Sequence, residues 1–333
     1  MNTAIDRLLS DLEIHPILID IGASGAPPNI WDTIAPHSIY VGFDPDLREI
    51  HEISDGRFRR AVIVNEAVSS SEDKEVRFYL TKSPYCSSTL RPDTDALSDY
   101  AFSDLFTVEK ETTVRATTLN EVLRRLSLPR IDWFKTDSQG TDLRLFTSLS
   151  DDISSRVLAI DIEPGLIDAY VGEDMFTDVH EALTRKGFWL SNMNVCGTVR
   201  MKSATVRDLT AKTGDIDGAL IERVVRQTPC WIEARYFRTI KSLIQADAGR
   251  QEFALLWVFA MVDNQPGFAI DLAMEYEQRF GIDNISQLMQ DEPLERIKNL
   301  AAPKSNPGLA SRAIAKIRRS LWSASQPAKP VNS

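Results

Sequence analysis

Two glycines, followed by an aspartate about 20 residues further along, are the residues of this sequence that could bind a nucleoside. An apolar run over residues 17–21 predicts a buried parallel strand. Gly22 and Gly25 follow it and would let the backbone turn tightly against a ligand. A second apolar run ends at Asp44, whose carboxylate could accept hydrogen bonds from both ribose hydroxyls. The residues predicted to bind a cofactor here are Gly22, Ala23, Gly25, Asp44 and Pro45.

The residue in front of the glycine loop indicates which cofactor this would be. A dinucleotide fingerprint has glycine at three places, and the first of these places is Asp20 in this chain. A carboxylate there would repel a pyrophosphate but suits a ligand with positive charge, such as a sulfonium that also carries an ammonium group. The pattern therefore favours S-adenosylmethionine over a nicotinamide dinucleotide, with Asp20 binding the methionine ammonium directly or through water. Helix capping is the alternative role for Asp20 and for Asp44.

Acidic residues at the ends of two later strands could take part in catalysis. Asp137 follows the predicted fourth strand and Glu163 follows the fifth. Open α/β sheets bind ligands at the carboxyl ends of their strands. Asp137 could therefore orient a methyl donor or act as a general base, and Glu163 could accept a proton from a substrate hydroxyl. Lys135 completes the catalytic candidates, although either carboxylate could simply pair with it. A further alternative is that Asp137, Asp161 and Glu163 together hold Mg²⁺.

The order of the predicted elements indicates how these residues would be positioned. Apolar runs that read as strands alternate with segments of helical periodicity, which predicts an α/β fold with a doubly wound, mostly parallel, seven-stranded sheet. Residues 83–104 are rich in serine, proline and aspartate without a clear period, so they are predicted to form a loop or lid over the acceptor. The strands of the main sheet are predicted at residues 17–21, 39–43, 61–64, 131–136, 157–162, 188–193 and 230–237.

The chain changes character beyond about residue 238, where only helical periodicity remains. We expect one α/β domain over residues 1–238, a C-terminal helical extension over residues 239–323 and a disordered tail over residues 324–333. Residues 310–322 form a basic amphipathic segment, which predicts a solvated terminal helix, with contact to an anionic membrane as the alternative.

Composition limits the function classes. The formal net charge of −10 argues against a general nucleic-acid binder, which carries a basic face. The 3 cysteines have no C-x-x-C spacing, so they indicate neither a disulfide framework nor a zinc site and favour a reducing compartment, the cytoplasm. The N-terminal residues lack the apolar core of a signal peptide. The longest apolar run, residues 253–262, is too short to span a bilayer.

Residues 131–142 read I-D-W-F-K-T-D-S-Q-G-T-D, which resembles the block I-D-x-x-K-x-D-x-x-G-x-E of FkbM-type methyltransferases. The resemblance covers about residues 16–190 and implies a class I methyltransferase fold and S-adenosylmethionine-dependent O-methylation, often of a sugar or a secondary metabolite. In that setting Glu66 and Ala67 would lie along the adenine, with a surface turn as their alternative. Further blocks that match in the family's order are residues 20–22, 42–45, 65–69, 87–90, 160–163 and 187–188.

Departures from the family pattern bear on the substrate rather than on the cofactor. The family loop usually has asparagine where Ser24 stands, and valine or glutamate where Ser138 and Gln139 stand. The predicted acceptor is a hydroxyl of a carbohydrate, a glycan or a small metabolite. One alternative is a catalytically silent binding module that scaffolds an assembly through its helical tail. A nucleic-acid methyltransferase is disfavoured, because the block after the fourth strand is not the [DN]-P-P-[YFW] motif of amino methylation.

Overall fold

The computed structural model describes residues 3–46 and 56–302. Pro45 predicts the start of a helix that runs to about residue 53, and most of that segment lies outside the described residues. The basic amphipathic segment 310–322 and the tail 324–333 also lie outside them.

Ten strands and twelve α-helices are formed by the described residues. The strands are β1 (Ile17–Ile21), β2 (Ile39–Phe43), β3 (Arg60–Val64), β4 (Ala67–Val68), β5 (Glu75–Thr81), β6 (Val108–Thr117), β7 (Trp133–Thr136), β8 (Ala159–Ile162), β9 (Phe188–Thr198) and β10 (Thr228–Arg238). The helices are α1 (Thr3–Asp11), α2 (Thr94–Leu97), α3 (Leu119–Leu126), α4 (Asp142–Thr147), α5 (Asp151–Ser154), α6 (Phe176–Arg185), α7 (Ser203–Thr213), α8 (Gly218–Val224), α9 (Ile240–Gln245), α10 (Arg250–Val262), α11 (Pro266–Phe280) and α12 (Asn284–Ala301).

Seven of these strands form one sheet in the order β3-β2-β1-β7-β8-β10-β9. The neighbours from β3 to β8 pair in parallel, whereas β10 runs antiparallel to both β8 and β9. The mostly parallel, seven-stranded sheet expected from the sequence is therefore confirmed. Ile21 pairs with Phe43 on one side and with Thr136 on the other. This register brings the residues that follow β1, β2 and β7 to one edge of the sheet.

Alternate residues of the central strands contribute to two separate hydrophobic cores, because successive side chains of a strand point to opposite faces. Trp133 of β7 belongs to a core that includes residues of α1, α10 and α11, and its ring centroid lies 4.8 Å from that of Phe259. Phe134, the next residue, belongs to the other core, with α3, α4 and α6, and its ring lies 5.5 Å from Phe146. Helices therefore contribute to the cores on both faces of β7.

The helices that follow β10 do not begin a separate core. Every residue of α10 from Phe253 to Met261 is buried, and these residues share one cluster with Leu18, Tyr40 and Trp133 of the sheet. Among the residues that the structure describes, those up to Pro293 belong to one compact unit and those from Leu294 belong to a second. The domain boundaries predicted at residues 238 and 323 stay predictions.

A second sheet has the order β4-β6-β5. The alternation over residues 76–80 predicts an edge strand, and residues 112–116 are predicted as a short strand. These residues lie in β5 and β6, which pair with each other rather than with the main sheet. The segment predicted as a loop, residues 83–104, contains a 3-10 helix (Pro84–Cys86) and α2. Asp93 caps α2 by accepting hydrogen bonds from the backbone N–H groups of Asp95 and Ala96. This segment therefore has local structure of its own.

No helix in the described ranges is both long and apolar enough to cross a membrane.

Truncating Phe259 tests whether α10 belongs to the core of the sheet. The side chain is fully buried, so we expect Phe259→Ala to lower the free energy of unfolding by about 3–5 kcal/mol, measured in urea. Met274→Ala on α11 is the control, since Met274 is 62% exposed and its loss should change the free energy by less than about 0.5 kcal/mol. Equal small effects would contradict the shared core.

Candidate functional site

The glycine loop after β1 is fixed against the ends of two neighbouring strands. The backbone N–H groups of Gly22 and Ala23 donate to the carbonyl oxygen of Phe43 at 2.9 and 3.0 Å. Gly22 has φ +75°, and a Cβ atom on it would lie 2.1 Å from the carbonyl oxygen of Asp137. No real side chain fits such a gap, so only glycine allows β1 and β7 to end this close together. Gly25 also has a positive φ, +82°, but a Cβ atom there would meet nothing within 4 Å.

A cleft opens between these strand ends, and we call it the strand-end cleft. It has a volume of about 80 Å³. It is lined by Ile21, Gly22, Ser24, Phe43, Asp44, Pro45, Asp46, Glu66, Ala67, Val68, Phe78, Pro84, Tyr85, Ser87, Thr89, Asp137, Ser138, Gln139 and Thr141.

Asp44 is a buried acidic residue of this cleft, with 7% of its surface exposed. One carboxylate oxygen accepts a hydrogen bond from the backbone N–H of Asp46 at 2.7 Å. Burial, together with the nearby charges of Asp46, Asp137 and Asp20, raises the pKa of Asp44 to about 6. On the same cleft, Glu66 accepts a hydrogen bond from Arg125 at 3.3 Å. The cleft is therefore acidic, and its charge depends on pH close to neutrality.

Asp20 lies beneath the cleft rather than in its lining. One of its oxygens accepts from Lys135 Nζ at 2.7 Å, and the other accepts from the Tyr40 hydroxyl at 2.9 Å. Burial opposes the charge of Lys135, but the carboxylates of Asp20 and Asp137 raise the pKa of this lysine above its usual value. Lys135 thus pairs with Asp20, not with the carboxylates that the sequence had suggested as its partners. It stays protonated and is not a candidate base.

Asp137 is held by a short chain of hydrogen bonds. Gln139 donates from its side-chain nitrogen to Asp137 at 2.5 Å, and the Tyr170 hydroxyl lies 2.7 Å from the amide oxygen of Gln139. The backbone oxygen of Gln139 accepts from the Ser88 hydroxyl at 2.7 Å. Gln139 has φ +58°, a left-handed conformation that non-glycine residues adopt at a cost. Burial raises the pKa of Asp137, and Lys135 opposes that rise. Asp137 therefore has both a fixed orientation and a raised affinity for a proton.

A second, larger cavity adjoins the strand-end cleft. It has a volume of about 480 Å³, and both spaces are lined by Tyr85, Asp137 and Gln139. Glu163, at the end of β8, lines this second cavity. Burial and the charge of Asp137 raise the pKa of Glu163 to about 9. The remaining residues that line the second cavity are Ser83, Cys86, Phe102, Leu105, Phe106, Gly140, Gly165, Ile167, Ala169, Tyr170, Glu173, Cys230, Trp231 and Glu233.

The structure distributes the predicted site residues over three places. In the strand-end cleft lie Gly22, Asp44, Pro45, Glu66, Ala67 and Asp137. In the second cavity lie Asp137 and Glu163. Outside both linings lie Asp20, Ala23, Gly25 and Lys135. The roles assigned to all of them stay predictions.

Several residues that surround Asp137 were not among those predicted from the sequence. Tyr85 and Tyr170 come from segments without a recognisable motif, and no pattern in the sequence places them near β7. Gln139 stood inside the block that resembled a known family, but its part in orienting Asp137 is visible only in the structure. The position of Gln139 directly before Gly140 is a sequence signal that could have drawn attention to it. In the structure, both residues have positive φ.

The alternative of a Mg²⁺ site does not fit the position of Asp161. Both oxygens of this carboxylate accept hydrogen bonds from the Arg235 guanidinium, at 2.7 and 2.9 Å. Within residues 3–46 and 56–302, no group of three or more histidine, cysteine, aspartate or glutamate side chains could hold a metal ion. Asp161 is therefore part of a partly buried ion pair with Arg235 rather than a free ligand.

Comparison with known families agrees with this geometry. Residues 25–190, about half of the chain, match the family model of the methyltransferase FkbM domain. This part of the chain is an FkbM methyltransferase domain. The resemblance seen in the sequence motifs is therefore confirmed. No curated protein and no solved structure matched the chain. The matched part of the FkbM domain includes Asp44, Asp137 and Glu163, whereas β1 and Gly22 precede it.

Gly22 and Gly25 form a matched pair, because both have positive φ and only Gly22 is in steric contact with Asp137. We expect Gly25→Ala to lower the free energy of unfolding by about 1 kcal/mol through backbone strain alone. Gly22→Ala should lower the free energy of unfolding by about 1–3 kcal/mol more than Gly25→Ala does, because the new Cβ atom must displace the end of β7. Urea unfolding of both variants measures the difference, and identical losses would show that the contact with Asp137 is unimportant.

Proposed function

We propose that this protein is an S-adenosylmethionine-dependent O-methyltransferase that acts on a hydroxyl of a carbohydrate or a small metabolite. The observation that carries the proposal is the junction of two spaces at Asp137 and Gln139. One space has the acidic residues suited to a cationic methyl donor, and the other is large enough for an acceptor. Methyl transfer requires such a junction, because donor and acceptor must meet in line.

The residues of the strand-end cleft fit the proposed cofactor by their chemistry. Asp44 would accept hydrogen bonds from the ribose hydroxyls, and Glu66 and Ala67 would lie along the adenine. Gly22 leaves the backbone open to close approach, and the acidic lining suits a sulfonium but repels a pyrophosphate. The cleft volume of about 80 Å³ is smaller than that of typical ligand sites, which is about 300–1,000 Å³. Tyr85, which is 60% exposed, lines both this cleft and the second cavity.

When bound, S-adenosylmethionine would supply an electrophilic methyl group. Asp137 is the group we assign as general base, because among the acidic residues that the structure describes it alone lines both spaces. It would accept the proton of the acceptor hydroxyl while Gln139 keeps its carboxylate oriented. Of the two spaces, Glu163 lines only the second cavity. Its pKa of about 9 keeps its carboxyl group protonated at neutral pH until a cation or a proton acceptor comes close. Its proposed role is to bind the acceptor.

The wider architecture supports the same proposal. Cores on both faces of β7 favour a doubly wound class I methyltransferase fold, to which the C-terminal helices contribute one layer. A cytoplasmic location is part of the proposal, because the free cysteines Cys86, Cys196 and Cys230 would stay reduced there. The alternative of a silent scaffold has no comparable observation in its favour.

Removing the carboxylate of Asp44 tests the cofactor site. We expect Asp44→Ala to weaken S-adenosylmethionine binding by at least ~1.5 kcal/mol in calorimetry, because charged hydrogen bonds are lost. Asp152→Ala is the control, since the side chain of Asp152 is 74% exposed on α5. Wild-type affinity should also fall as the pH drops below about 6, where Asp44 becomes protonated, and the variant should lack this pH dependence. An unchanged dissociation constant in Asp44→Ala would remove Asp44 from the site.

Substitution of the two strand-end carboxylates tests the assignment of the base. Asp137→Asn keeps an oxygen that can accept from Gln139, so we expect an unchanged unfolding midpoint and a kcat at least ~100-fold lower. Glu163→Gln should raise KM more than it lowers kcat. Formation of S-adenosylhomocysteine with a hydroxylated acceptor measures both constants. A larger loss of kcat in Glu163→Gln than in Asp137→Asn would reverse the two roles.

A further inference from the structure

The second cavity has an aromatic wall. Tyr85, Phe102, Phe106, Tyr170 and Trp231 all line it. The rings of Phe102 and Trp231 are nearly parallel, with an interplanar angle of 9° and centroids 6.3 Å apart. The ring of Phe106 lies 5.6 Å from that of Tyr170. Aromatic faces of this kind bind flat apolar groups and also attract cations, because the π face of each ring is negative.

The charged side chains of the same cavity have only one sign. Asp137, Glu163, Glu173 and Glu233 line it, and no lysine, arginine or histidine of the described chain does so. The ammonium group of Lys135 lies outside the lining and donates a hydrogen bond to Asp20. A space of about 480 Å³ with four carboxyl groups and aromatic walls is therefore poorly suited to an anion.

Two of these carboxyl groups have unused hydrogen-bonding capacity. One oxygen of Glu173 accepts from the backbone N–H of Tyr170 at 3.0 Å, whereas the other is buried without a hydrogen-bond partner among the described residues. Glu163 likewise receives no hydrogen bond from the part of the chain that the structure describes. A ligand donor that reached Glu163 would give this carboxyl group a hydrogen bond that it otherwise lacks.

We propose that the acceptor is an amine-bearing hydroxyl compound whose protonated amino group binds between the carboxylates of Glu163, Glu173 and Glu233, with its apolar face on the aromatic wall. This inference rests on the proposed function, since it assigns the acceptor class of that reaction. Burial raises the pKa of Glu173 to about 7 and that of Glu163 to about 9. An ammonium group beside them would favour their ionised forms, so the ligand would supply the positive charge that the cavity lacks.

Three phenols that carry end groups of different charge on a short side chain test this selectivity: tyramine, which is cationic, N-acetyltyramine, which is neutral, and 4-hydroxyphenylacetate, which is anionic. Calorimetry on the full chain at pH 7.5, in the presence of S-adenosylhomocysteine, measures the three dissociation constants. We expect tyramine to bind at least ~10-fold more tightly than N-acetyltyramine, and 4-hydroxyphenylacetate to bind more weakly than either. Glu173→Gln should reduce the preference for tyramine at least ~3-fold, whereas the exposed control Asp152→Asn should leave it unchanged.

The result that would overturn the inference is an equal or tighter binding of N-acetyltyramine, or no binding of any of the three phenols. A titration of the same sample with S-adenosylmethionine separates this failure from a failure of the proposed function. Cofactor binding without a preference for the amine contradicts only the acceptor class. Absence of cofactor binding contradicts the methyltransferase proposal itself.

Discussion

The buried ion pair between Lys135 and Asp20 sets the charge balance on which the rest of the site depends. The two residues are direct neighbours in the parallel pairing of β1 with β7, so the register of the sheet fixes their 2.7 Å contact. A charge without a partner at this depth would cost several kcal/mol. The Tyr40 hydroxyl donates to the second oxygen of Asp20, which satisfies that carboxylate from both sides. The pair thus provides a positive charge beneath strand ends that are otherwise acidic.

The carboxyl groups above this pair remain crowded. Burial and mutual repulsion raise the pKa of Asp44 to about 6 and that of Glu163 to about 9. Such groups hold protons until a cation approaches, and a cationic methyl donor or a cationic acceptor would favour their ionised forms. The crowded carboxyl groups of the site would therefore favour positively charged ligands on electrostatic grounds, in addition to providing candidate bases.

The two spaces that meet at Asp137 are built by different parts of the chain. The ends of β1, β2 and β7 provide much of the strand-end cleft, and their parallel register fixes its shape. The second cavity is lined by residues 83–106, by the segment after β8 and by β10, which are far apart in sequence. A small core of Cys86, Leu97, Phe106 and Tyr170 holds the first two of these segments together.

The sequence by itself determined the mostly parallel sheet, the glycine loop, and the positions of Asp44, Asp137 and Glu163 at strand ends. These features are local, because apolar periodicity and a glycine with positive φ follow from neighbouring residues. Only the tertiary structure decided that Lys135 pairs with Asp20 and that Arg235 forms an ion pair with Asp161. It also decided that α10 packs into the same hydrophobic core as the sheet. It also brought Tyr170 to Gln139. Such contacts join side chains that are distant in sequence, so strand register and helix packing, which no local pattern encodes, select the partner of each charge.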